Sequence, residues 1–150
     1  MHKRKAFTLI EVTAVVIIAS ISAVIVFPNY QRAVEQARDR EAVACLRLIQ
    51  AGERIYRIEH DPPQFFPFNG ELQQNTGQIN AGLRLSLTTQ NWRYFVDDLA
   101  GGNNFDAQAQ SVLTGRTWMI RRDNCNNIFG ACCIANCPPD PAYTDCTGCP

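Results

Sequence analysis

Two sets of residues in this chain have the types and spacing to do chemistry. Cys125, Cys132, Cys133, Cys137, Cys146 and Cys149 crowd the stretch CNNIFGACCIANCPPDPAYTDCTGCP, and a seventh cysteine, Cys45, stands alone. Thiols at that density, in a segment with little apolar surface, predict disulfides formed outside the cytoplasm that hold together a region unable to build a core. Six cysteines allow 15 pairings, and spacing alone does not choose among them. Cys132 and Cys133 are adjacent, so each is expected to bridge elsewhere. Cys45 is expected to remain a buried free thiol; the alternative is that it pins the tail to its own segment. Cys146-Thr147-Gly148-Cys149 is a CxxC that could join two other cysteines in a thiolate zinc site, but a second CxxC is lacking and an exported location favours oxidation. Asp97, Asp98, Asn103, Asn104 and Asp106 offer oxygen ligands for calcium around Gly101-Gly102, although hairpin turns are rich in these residues anyway. The expectation carried forward is disulfides, with no metal and no cofactor.

The second set is a single carboxylate in an unusual place. From Phe7 to Phe27 the sequence FTLIEVTAVVIIASISAVIVF contains no Gly or Pro, and Glu11 is its only charge. As a helix this run is about 30 Å long, enough to cross the hydrocarbon core of a bilayer. A carboxylate there is expensive if unpaired and calls for a cationic partner. No Ser/His/Asp set or catalytic carboxylate pair stands out, and His2 and His60 are too few and too far apart for histidine chemistry. No enzyme is expected.

These residues must be positioned by larger elements. The apolar run is preceded by His2-Lys3-Arg4-Lys5, a basic leader that predicts a cytoplasmic N-terminus and an extracytoplasmic remainder. Beyond it, Pro28 interrupts the pattern and predicts a kink, after which helical composition resumes and runs to about His60. Asp61-Pro62-Pro63 stops it. In this second half Val34, Ala37, Ala44, Leu48, Ala51, Ile55 and Ile58 share one apolar face, and Arg40, Arg47, Glu53, Arg54 and Arg57 lie on the other side. Residues 61–83 are rich in Pro, Gly, Asn and Gln and read as a surface loop. Short β-rich runs follow at 84–87, 92–97, 105–110 and 117–121, separated by Gly101-Gly102-Asn103-Asn104 and Thr114-Gly115-Arg116. Three or four antiparallel strands could then lay one face on the amphipathic helix.

The whole chain has 14 Lys and Arg against 14 Asp and Glu. Without the first six residues, eleven Arg and no Lys face the fourteen acids. Such a body gives no electrostatic reason for nucleic acid as the main ligand, and a local patch of Arg116, Arg121 and Arg122 is expected to be solvated.

Ala6-Phe7-Thr8-Leu9-Ile10-Glu11, behind a short basic leader, resembles the processing site of the type IV pilin and pseudopilin family. Phe7 would be first and Glu11 fifth in the mature chain, and Pro28 falls where many members carry proline. The residue before the cut is usually Gly in that family and is Ala6 here; Ser20 and Ser22 occupy the region where many members have a glycine. The resemblance implies cleavage between Ala6 and Phe7 by a prepilin peptidase, methylation of the Phe7 amine, and pairing of that amine with Glu11 of a neighbouring copy during assembly. It also implies an α+β pilin-like fold, with a long helix on a small antiparallel sheet. The expected organisation is leader 1–6, transmembrane half 7–27, amphipathic half 28–60, loop and sheet 61–124, and cysteine-rich tail 125–150. A filament subunit would sit in the inner membrane and then in a periplasmic or extracellular fibre, with copies of itself, other pilins and the inner-membrane assembly machinery as partners. A pseudopilin of type II secretion and a non-polymerising anchored binding domain are the alternatives.

Overall fold

The structure, a computed structural model, describes residues 8–67, 72–99, 104–121 and 131–137. By contact density the chain divides into two units, Met1–Arg38 and Asp39–Pro150. One helix, α1 (Leu9–Glu59), contributes to both, with Pro28 inside it. In the first unit the described side chains are exposed except for half-buried Val34 and Arg38, so among the described residues the apolar run has no buried side chain.

The second unit is the folded domain. After α1 come α2 (Thr76–Leu83) and the strands β1 (Trp92–Leu99), β2 (Asn104–Ser111), β3 (Thr117–Arg121) and β4 (Cys132–Ala135). The strands form one antiparallel sheet in the order β1-β2-β3-β4. Its helix-facing side follows the strand period of two: Trp92, Tyr94 and Val96 from β1, Phe105, Ala107 and Ala109 from β2, Trp118 and Ile120 from β3, Cys133 from β4. Small alanines in the second strand leave room between the large rings of its neighbours. Ala42, Leu46 and Ile49 of α1 complete this core with Phe65, Ile79, Leu83 and Leu87.

Four expectations are corrected. The helix face turned to the sheet is that of Asp39, Ala42, Leu46, Ile49 and Glu53, whereas Ala44, Leu48, Ala51, Ile55 and Ile58 are exposed. Both faces carry apolar residues at helical spacing, and periodicity alone does not say which one a sheet will take. The buried face is the one with Gly52 at its margin, where an added Cβ would lie 3.1 Å from Leu83 Cβ and 3.3 Å from Leu83 O. Glu53, expected among the solvated residues, is fully buried.

Within the supposed loop 61–83 lies α2. Its Gly and Asn residues conceal it from composition, but Asn75 caps it by accepting from the Gly77 N–H at 2.8 Å, Ile79 and Leu83 bury, and Arg84 ends it in a left-handed conformation (φ 53°). Residues 84–87 form no strand. Leu87 is buried there because Asn80 takes both its backbone groups, accepting from its N–H at 2.8 Å and donating to its carbonyl at 3.1 Å. The fourth strand is instead β4, inside the cysteine-rich tail.

Candidate functional site

The residues with the strongest chemical signal lie at the start of α1. Ala6 and Phe7 are outside the described residues; Glu11 is in the first helical turn and exposed. Its N–H reaches the Thr8 carbonyl at 3.1 Å, so Thr8 opens the helix and sets the carboxylate one turn in. A carboxylate near the positive end of a helix is favoured there by the exposed N–H groups. The other polar side chains of the run are satisfied within it. Thr13 donates to Ile10 O at 2.9 Å, Ser20 to Val16 O at 2.7 Å, and Ser22 to Ile18 O at 2.9 Å. These hydroxyls therefore add no unmet donor to an apolar surface. Leu9, Ile10, Val15, Ile17, Ile18 and Ile21 are exposed, so the segment has hydrocarbon on every side and one anion.

The folded domain holds two arginines in buried or half-buried ion pairs. Arg116 donates to Asp39 at 2.6 Å, with 11 % and 3 % of the two side chains exposed, and the Trp118 indole N–H reaches the other Asp39 oxygen at 3.3 Å. Through Nε, Arg116 also donates to Asn136 O at 3.1 Å. One guanidinium thus ties α1 to the end of β4. Arg121 pairs with Asp106 at 3.1 Å on the opposite side of the sheet. Arg116 and Arg121 are not a free basic patch, and Arg122 lies outside the described residues. Burial raises the Asp106 carboxyl despite Arg121.

Glu53 is the group that sequence reasoning missed. Its Oε2 accepts the Phe66 N–H at 2.9 Å and anchors the segment after Asp61-Pro62-Pro63, while Oε1 is buried without a hydrogen-bond partner. Burial, reinforced by the nearby Asp98 charge and only partly offset by the Phe66 N–H, pushes this carboxyl up to about 8. At neutral pH Glu53 is therefore mainly the neutral acid. Its position on the Leu46–Ile49 side of α1 was the available signal. Arg57 covers the same region, with its guanidinium 5.1 Å from the Phe65 ring centre.

The proposed oxygen ligands for calcium are divided between the two sides of the sheet. Asp98 is buried on the helix side, Asp97 and Asp106 oppose each other on the other side, Asn104 accepts its neighbour's N–H, and Asn103 lies outside the described residues. Among the described residues no group of three or more His, Cys, Asp or Glu is placed to hold a metal ion. Of the cysteines, Cys133 and Cys137 are joined in a disulfide, with Cα atoms 5.7 Å apart. Cys132 is also disulfide-bonded, and Cys45 is a half-buried free thiol. Cys125, Cys146 and Cys149 are outside the described residues.

Residues 1–27 match the family model described as the prokaryotic N-terminal methylation motif. The chain carries a type IV pilin-type processing signal. With the long helix packed on a four-stranded antiparallel sheet, its fold is α+β and pilin-like. The motif supports a pilin-like or pseudopilin precursor, and the apolar N-terminal half of α1 fits a membrane-anchored one. No curated protein and no solved structure matches the chain.

Proposed function

We propose that the chain is a structural subunit of a type IV pilus-like filament. The observation that carries this reading is Glu11: the one charge in the apolar run from Phe7 to Phe27, inside a matched methylation motif. In the precursor the basic leader stays cytoplasmic and the domain from Asp39 lies outside the inner membrane. A prepilin peptidase cuts between Ala6 and Phe7, and the new Phe7 amine is methylated.

The amine of one copy and Glu11 of another then neutralise each other in low dielectric. An unpaired carboxylate in the bilayer costs about 2.5–3.5 kcal/mol on insertion scales, so subunits gain by meeting at the one axial offset that pairs the charges. Such a buried pair acts through register more than through strength, because every other stagger leaves two charges unmatched. The disulfide-bearing tail, held to α1 through Arg116, favours a fibre exposed to an oxidising exterior over a short secretion piston.

Glu11→Ala tests the reading. The variant should be cleaved and membrane-bound yet absent from sheared surface fibres. Fibres at the level of the unmodified protein would refute it.

A further inference from the structure

The turn between β2 and β3 carries apolar residues where polar ones are usual. Val112 and Leu113 stand at its tip, 48 % and 69 % exposed. The backbone around them is nonetheless satisfied from within the domain. The Val112 N–H donates to Asn91 O at 3.1 Å, Thr114 to Ser111 Oγ at 3.2 Å, Gly115 to Ser111 O at 3.1 Å and Arg116 to Thr114 Oγ1 at 3.3 Å. The tip can therefore leave water without stranding those donors. It is fixed at the end of the domain where α1 enters. Arg116 holds Asp39, and Asn91, whose carbonyl takes the Val112 N–H, donates to Glu41 at 3.0 Å. Both acids of α1 at this end are thus engaged, and residues 86–93 and 110–117 contain no acid. Arg93 is exposed, stands opposite Gln110 in the sheet, and shares a shallow depression with Thr89 and Val112.

We infer that this end of the domain docks on the outer surface of the membrane that holds the chain's own apolar run. Val112 and Leu113 enter the headgroup layer, and Arg93 meets lipid phosphate. The contact rests on the reading of the chain as a membrane-anchored precursor and belongs to that stage, before any assembly. Lipid is the occupant because the chain already keeps it close. Eleven residues, 28–38, separate the apolar run from Asp39. As a helix they are about 16 Å long. The headgroup layer takes up about 5–8 Å of that distance, and a lean of the domain covers the rest. Because the encounter is intramolecular, two apolar side chains and one cation suffice where they would be too few for an untethered protein. The charge also matches, since an exposed arginine without a neighbouring free acid suits an anionic lipid surface. A protein partner would need a far larger patch than two side chains provide.

The test uses the full chain in nanodiscs of phosphatidylethanolamine and phosphatidylglycerol with brominated acyl chains, which quench tryptophan by contact. Trp92 and Trp118 are buried in the core and give the same background in every variant. Leu113→Trp should be quenched at least about twofold more than Ile58→Trp, a control at an 84 % exposed position about 25 Å along α1 from Glu41. Val112→Asp or Arg93→Glu, each added to Leu113→Trp, should remove most of that difference. All four positions are exposed, so an unfolding midpoint close to the parent's would show that the domain is intact. Equal quenching at positions 113 and 58, or quenching at 113 that survives both added changes, overturns the proposal. If the unmodified chain does not stay in the nanodisc, the membrane-anchored reading itself fails, a result distinct from an anchored chain whose position 113 is not quenched.

Discussion

Replacing Glu53 by Gln should remove most of the domain's loss of stability between mildly acidic and mildly alkaline pH. The folded-state value of about 8 stands above the ordinary 4.5, so the folded chain keeps a proton that the unfolded chain gives up. Its contribution to stability is fully present below 4.5 and is lost as pH rises through 8. The slope over this window is about 1.4 kcal/mol per pH unit for one proton, which amounts to roughly 3 kcal/mol by pH 7. Glutamine retains the volume and the carbonyl that accepts the Phe66 N–H, and it places an amide donor where Oε1 has no partner. The variant should match the parent near pH 4.5 and exceed it by about 2–3 kcal/mol at pH 7–8, with a residual slope from Asp106, whose carboxyl is also raised. Denaturant unfolding of the full chain in detergent, with disulfides intact, would measure this by the fluorescence of Trp92 and Trp118, both buried in the core. Parallel stability–pH curves for parent and variant would refute the assignment of Glu53 as a buried neutral acid.

Three further outcomes are expected. Arg116→Met leaves Asp39 charged and buried and should cost about 3–5 kcal/mol in the same unfolding assay, with a smaller loss for the double variant that also carries Asp39→Asn. Leu46→Ala, which opens a cavity between α1 and the sheet, should cost about 2–5 kcal/mol. Cys133→Ser should cost about 2 kcal/mol through the short loop closed with Cys137, seen as a lower denaturation midpoint in the unreduced protein.

Much of the fold was legible because its signals are local. The apolar run and the Asp61-Pro62-Pro63 stop bound α1, and alternation in Trp92–Leu99 and the turn at Thr114-Gly115-Arg116 place β1 and the β2–β3 connection. Gly115 has φ +67°, which the turn requires. What stayed hidden depends on partners distant in sequence. The helix α2 owes its existence to the Asn75 cap and to burial of Ile79 and Leu83, which override a poor helical composition. The four residues of β4 gain their identity by pairing with β3 across an irregular register at Thr117 and Trp118. The orientation of α1 was undetermined because it carries two apolar faces, and Glu53 became a core residue only once the sheet had taken one of them. The motif at residues 1–27 was legible for a different reason: its signal lies in residue order rather than in tertiary contacts.

The most direct test of the filament account is the intact mass of the chain recovered from sheared cell-surface fibres. The account predicts loss of residues 1–6 and one added methyl group on the Phe7 amine. A chain found only in the membrane fraction, with its leader uncut and its N-terminus unmodified, would contradict it.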